Sequence, residues 1–224
     1  MATGNAAQLA FELPHRTALG RDDFLVTGCN ARAVDWIDRW PDWPGGILAL
    51  VGARASGKTH LMEVWRAVSG AGRIEAAALS GDGWMDFTRG IAIDGMNGAV
   101  DEEALFHAVN WVRQRGLTML IAGETPPTAW PVALPDLRSR LATIPVAEIA
   151  RPDDALMDAL IVKQFTDRQL MVTPEVVAWL RLRLERSFEA VRAAVARIDA
   201  AALAEKRAVT LPFLRHVLDD ESRE

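Results

Sequence analysis

The sequence predicts an α/β protein: a parallel five-stranded sheet flanked by helices, followed by a small all-helical domain. Three observations carry that reading. The segment Gly52-Ala-Arg-Ala-Ser56-Gly57-Lys58-Thr59 lies between an apolar run of strand length at 47–51 and a stretch of helical spacing at 60–68. From Phe24 to about Ile149, apolar runs alternate with helical patterns, the rhythm of βαβ units. After Arg151-Pro152 the apolar spacing becomes almost wholly helical.

Taken in order, residues 1–22 are polar and mixed and read as a tail. Strands are expected at 47–51, 76–79, 90–94 and 118–122, with a short piece near 143–146. Between them, Asp101, Glu102 and Glu103 precede Leu105-Phe106 and read as a helix N-terminus, where negative charge is favourable. Pro152, Thr173-Pro174-Glu175 and Thr210-Leu-Pro212 read as helix starts, with Thr173 as cap and Pro174 at the first helical position. Domains are therefore expected at 1–22 (tail), 23–150 (nucleotide-binding) and 151–224 (helical).

Composition narrows the function. Half of the 224 residues are hydrophobic, enough for a sizeable core. A net charge of −5, with neither half basic, argues against broad non-specific nucleic-acid binding, which runs on excess Lys and Arg. The lone cysteine, Cys29, excludes an internal disulfide framework and suits a reducing cytoplasm, where it reads as a small packed residue. Neither a signal peptide nor a membrane span is expected, because no apolar run nears 18 residues. Trp36, Trp40 and Trp43 cluster before the first strand and read as packing residues.

The glycine segment fits G-x-x-x-x-G-K-[ST], the phosphate-binding P-loop. Its glycines let backbone N–H groups close around phosphate oxygens at a helix N-terminus, where the dipole favours an anion. Lys58 would reach the β/γ-phosphates and the Thr59 hydroxyl would hold Mg²⁺. Such a site needs a second acidic point for the metal's water shell. Asp94, at the end of Gly90-Ile-Ala-Ile-Asp94, has the Walker B form. Many ATPases place a water-activating acid directly after it; here the next residue is Gly95, so nucleotide binding is expected more strongly than hydrolysis. Glu124 ends the 118–122 run, and in a parallel sheet the carboxyl ends of strands line the ligand crevice. Arg138 and Arg140 follow in Leu134-Pro-Asp-Leu-Arg-Ser-Arg-Leu141; a guanidinium on a domain rim can serve a neighbouring subunit's nucleotide.

These motifs, with Gly-Glu-Thr-Pro-Pro at 123–127 and the helical end of the chain, resemble the AAA+ module of the bacterial initiator DnaA, and more closely the Hda family of DnaA-homologous regulators. The resemblance covers about residues 8–218. It implies a P-loop AAA+ base followed by a helical lid, and a chain without the DNA-binding helices and N-terminal domain of DnaA. It implies that Gly52, Ser56, Gly57, Lys58, Thr59 and His60 bind ADP or ATP, that Thr59 and Asp94 hold Mg²⁺ through water, and that Glu124 takes the sensor I position. The adenine pocket would begin at Phe24-Leu25-Val26. Arg192 is the sensor II candidate, although direct alignment puts Glu189 there and Arg186 lies just upstream. Arg140 occupies the arginine-finger position and would act in trans on DnaA-bound ATP.

The resemblance further implies that Gln8-Leu9-Ala-Phe11-Glu-Leu13 binds the DNA polymerase III sliding clamp, its beta subunit, with Gln8 at a pocket rim and Leu9, Phe11 and Leu13 in apolar subsites. DNA would be met only through the clamp, a homodimer is possible, no membrane is involved, and the protein would be cytoplasmic, reaching the nucleoid through the replisome. The expected function is negative regulation of replication initiation by stimulating DnaA's ATP hydrolysis. The alternatives are a self-contained AAA+ ATPase such as a helicase loader, and a small-molecule P-loop kinase.

Overall fold

The structure is a computed structural model that describes residues 24–98 and 100–219. The segment Gln8–Leu13 lies outside the described residues. The chain divides after Asp153 into two compact units.

The first unit contains helices α1 (Ala31–Asp38), α2 (Lys58–Ser69), α3 (Glu102–Arg115) and α4 (Pro135–Leu141). Its strands are β1 (Ile47–Gly52), β2 (Gly72–Glu75), β3 (Ile91–Met96), β4 (Met119–Gly123) and β5 (Val146–Ile149). The strands form one parallel sheet in the order β2-β3-β4-β1-β5. Every residue of β1 and β4 is buried, as expected of strands covered on both faces. Side chains alternate between two cores. Ile47, Ala49, Val51, Ile93 and Ile121 pack with Leu105, Val109, Val112, Leu137 and Leu141 of α3 and α4. Leu48, Leu50, Ala92, Leu120 and Ala122 pack with Ile37, Leu61, Met62 and Trp65 of α1 and α2.

Two strands depart from the sequence expectation. The second was expected at 76–79 but runs from Gly72 to Glu75; residues 76–78 form a short 3-10 turn. This is an edge strand, half-exposed and carrying Arg73 and Glu75, so it lacks the apolar signature of a buried one. Gly72 is fixed there by packing: a Cβ at that position would meet the Phe87 ring at 2.1 Å. The last strand lies at 146–149, later than expected, because Thr143 and Ile144 still donate to Arg140 and Leu141 carbonyls at the end of α4.

Trp43 is buried in the second of these cores, and Trp36 and Trp40, partly buried, pack against it. Trp43 stacks on Trp65 at 5.4 Å and donates from Nε1 to the Trp36 carbonyl, while Trp40 Nε1 donates to Thr118 Oγ1.

The second unit has helices α5 (Asp154–Thr166), α6 (Pro174–Arg183), α7 (Phe188–Glu205) and α8 (Leu211–Asp219). Its core includes Leu156, Met157, Leu160, Ile161, Phe165, Val176, Leu180, Val195, Ile198, Phe213 and Leu214. Proline at the first position of α6 fits a helix start that needs no N–H, and Ser187 caps α7 by accepting from Ala190 N at 3.1 Å. Arg181 ties the first turns of α5 to α6 by pairing with Asp154 (2.7 Å) and Asp158 (3.0 Å). Among the described residues, no helix is long and apolar enough to cross a membrane.

Candidate nucleotide-binding site

The carboxyl ends of β1, β3 and β4 converge because the sheet is parallel. Val51 stands in register with Gly123, and Glu75 with Asp94. The chain leaving β1 turns back at once into α2. Ala55 and Gly57 take left-handed conformations (φ 55° and 94°), which turn the loop before Lys58 opens the helix. Gly52 has no room for a side chain: a Cβ would lie 2.7 Å from both the Ile149 carbonyl and Ser56 Oγ. Ser56 Oγ is buried without a hydrogen-bond partner in this loop. An orphaned hydroxyl beside a glycine turn at a helix N-terminus is chemically suited to a phosphate oxygen.

Lys58 is buried, and its Nζ donates to the carbonyls of Gly52 and Ala53, 2.8 Å each. Burial pulls its pKa below the ordinary lysine value, while the charges of Glu124 and Asp94 work against that pull. Thr59 Oγ1 donates to Asp94 Oδ2 at 2.9 Å, and Gly95 N donates to Asp94 Oδ1 at 2.9 Å. Asp94 is itself 6% exposed. Glu124 is exposed at the end of β4, where its backbone N–H donates to Asn97 Oδ1 at 2.8 Å. Asn97 thus ties the end of β3 to the end of β4.

Sequence reasoning missed Arg73. From β2 its Nη2 reaches Asp94 Oδ2 at 2.9 Å and Glu75 Oε1 at 2.6 Å, while Nη1 reaches Glu63 Oε1 at 3.1 Å. Burial opposes its charge, but Asp94, Glu75 and Glu63 outweigh burial and raise its pKa above the ordinary value. The signal was the alternation of Arg73 and Glu75 on one face of a strand, hidden by placing that strand four residues late. Asn97 was missed because it follows the strand end.

Near the start of the described residues, His60 meets Phe24 edge-to-face at 5.4 Å. The backbone of Leu25 is held by buried Asn30, whose Nδ2 donates to the Leu25 carbonyl while its Oδ1 accepts from Thr27 N. Arg140 lies half-buried on α4 with its guanidinium 5.2 Å from the Phe106 ring centroid. The entry to α4 is fixed by Glu102, whose carboxylate accepts from Ala133 N and Leu134 N and is held below its ordinary pKa by them. In the second unit, Arg192 is exposed on α7 and Arg186 pairs with Asp154.

Gly52, Ser56, Gly57, Lys58, Thr59, Asp94 and Glu124 are thus gathered at one end of the sheet, with His60 in the first turn of α2. Among the described residues, no group of three or more His, Cys, Asp or Glu could by itself hold a metal ion. Thr59 and Asp94 nonetheless fit an ion held chiefly by phosphate and water, since a hydroxyl and a carboxylate are the hard oxygen donors Mg²⁺ takes.

Residues 153–218 match the family model "Hda, lid domain". The chain is 27% identical over 119 residues to the chromosomal replication initiator protein DnaA of Caldanaerobacter subterraneus subsp. tengcongensis, a match covering 53% of this chain and 27% of that protein. The matched stretches span only 27% and 52% of the curated relatives. Among solved structures, domain III of the Thermotoga maritima replication initiation protein DnaA superposes with a TM-score of 0.74 at 15% identity, covering 94% of this chain and 100% of that one. AMPPCP-bound DnaA from Aquifex aeolicus superposes with a TM-score of 0.65 at 16% identity, covering 82% of this chain and 67% of that one. The fold is therefore AAA+, with an Hda-type lid.

Proposed function

We propose that this Hda/DnaA-like AAA+ protein regulates replication initiation by binding an adenine nucleotide in its P-loop, docking on DnaA and promoting hydrolysis of DnaA-bound ATP. The observation that carries the reading is the match of residues 153–218 to the Hda lid, in a chain whose other unit presents an orphaned Ser56 hydroxyl in a P-loop.

Each residue then has a task. The loop from Gly52 to Gly57 wraps the phosphates, with Ser56 Oγ and Lys58 Nζ as donors. Thr59 and Asp94 would hold Mg²⁺ through water, and the ion would supply charge neutralisation to the phosphates. Phe24, Leu25 and His60 border the adenine, and Glu124 keeps a negative charge facing Lys58. Arg192 would sense the nucleotide from the lid. Arg140 stabilises charge on the phosphoryl group in DnaA's pocket, where a finger supplied in trans is worth about 10³–10⁵ in rate. Its stacking on Phe106 lowers the entropy cost of presenting it. Gln8, Leu9, Phe11 and Leu13 would tether the protein to the sliding clamp. A tail with so few anchors binds weakly because ordering it costs entropy.

Surface plasmon resonance against the immobilised clamp tests the replication link. Wild type should bind and Gln8→Ala/Leu9→Ala should not. Absence of wild-type binding would remove the tether from the account.

One observation favours a self-contained ATPase as a second reading. A Cβ at Gly95 would lie 3.4 Å from Glu75 Oε2, so a carboxylate stands near the place of the usual water-activating acid. Against it, that carboxylate is paired with Arg73 at 2.6 Å. Substantial ATP turnover by the isolated protein would favour this reading.

A further inference from the structure

Among the described residues, Asp94 is the one buried acidic residue, and a fixed cation already lies against it. Arg73 Nη2 bonds the same oxygen, Oδ2, that accepts the Thr59 hydroxyl. The other oxygen accepts the Gly95 amide. The guanidinium is pinned from its far side as well. Glu75 holds Nη2 at 2.6 Å and Glu63 holds Nη1 at 3.1 Å, and Glu63 is itself steadied by Arg66 at 2.6 Å. Three carboxylates from α2, β2 and β3 therefore converge on one arginine at the point where the sequence motif calls for a metal's water shell.

We propose that Arg73 is the resident counter-ion of Asp94, so that the P-loop binds a nucleoside diphosphate with little dependence on a divalent metal. The inference rests on the nucleotide-binding reading above and goes beyond it. An arginine keeps its charge at every relevant pH and offers a planar fork suited to several carboxylate oxygens at once. A divalent ion whose water shell approaches Asp94 Oδ2 meets a positive charge within hydrogen-bond distance of the same oxygen, and like charges disfavour each other at such range. Arg73, shared with Glu75 and Glu63, offsets part of the Asp94 charge that would otherwise face a diphosphate, and Lys58 supplies the positive charge at the loop. The role assigned to Asp94 thereby changes: it positions Arg73 and Thr59, and metal becomes an accessory to binding.

Isothermal titration of the full-length protein with ADP, in excess MgCl₂ and again in EDTA, tests this. Wild type should show a Kd changed by less than about threefold between the two conditions, below the usual range for coupled ligands. Arg73→Met keeps the stem and removes the charge; it should make binding metal-dependent, with a ratio of about tenfold or more. A wild-type loss of about tenfold or more in EDTA overturns the inference without recourse to any variant. A folded Arg73→Met protein with the wild-type ratio also overturns it. No ADP binding in either condition overturns the nucleotide-binding reading and this inference with it, whereas tight but strictly Mg²⁺-dependent binding overturns this inference alone.

Discussion

Thr59 Oγ1 donates to Asp94 Oδ2 across 2.9 Å, joining the first turn of α2 to the end of β3. Thirty-five positions separate these residues, and the parallel sheet brings them together: β3 pairs with β4, β4 with β1, and β1 runs directly into the loop that starts α2. The P-loop and the acidic strand end thus form one site.

Lys58→Met should abolish measurable ADP binding while leaving the fold intact. Its ammonium is buried and bonded only to loop carbonyls among the contacts described, so its loss costs the phosphate its charged partner, about 2–5 kcal/mol. Calorimetric titration checks the affinity, and far-UV circular dichroism checks that the helices remain.

Phe106→Ala should weaken stimulation of DnaA's ATP hydrolysis several-fold without changing ADP affinity. The ring is the platform on which the Arg140 guanidinium rests, and an exposed cation–π contact is worth about 0.5–1 kcal/mol. Paired measurement of ADP binding and of DnaA turnover separates this positioning role from general damage.

Much of this was legible in the sequence, for physical reasons. Gly52 to Thr59 must turn tightly and present amides, which restricts residue types enough to leave a pattern. The strands holding Ile93 and Ile121 are covered on both faces and read as continuous apolar runs. The edge strand holding Arg73 was not legible, because a strand with one open side and charged residues carries no apolar signature. The Arg73–Asp94 pair was hidden for the same reason: it depends on the register of β2 against β3, which no local pattern records. Glu102 read correctly as part of a helix N-terminus, yet its bonds to Ala133 and Leu134 lie 31 and 32 positions away and leave no local trace.

Phe165→Ala should destabilise the helical unit by about 3–5 kcal/mol, the usual cost of removing a fully buried ring. Urea unfolding monitored by circular dichroism measures the loss. A change below about 1 kcal/mol would mean that the space around α5 collapses readily.

Acid should weaken the helical unit through Asp154. The hydrogen bond from Arg186 is the main cause holding its carboxyl below the ordinary value of 3.8, with the Arg181 charge adding to it. A depressed folded-state pKa contributes stability that is present above the unfolded value and lost as pH falls through the folded one. Burial raises the Asp158 pKa, which acts in the opposite direction, so the comparison must be made against a variant. Asp154→Asn should be less stable than wild type at neutral pH, and the gap should close below about pH 4. Thermal melts across that range give the answer; a gap independent of pH would remove the ionic origin.

The most direct test of the account is the rate at which DnaA-bound ATP is hydrolysed in a reaction reconstituted with clamp-loaded DNA and this protein. Wild type should accelerate hydrolysis. Arg140→Ala should return it to the rate of DnaA alone, a loss on the order of the 10³-fold attributed to a finger in trans, while ADP affinity and clamp binding stay at wild-type values. Hydrolysis at the wild-type rate with Arg140→Ala, or no acceleration by the wild-type protein, would contradict it.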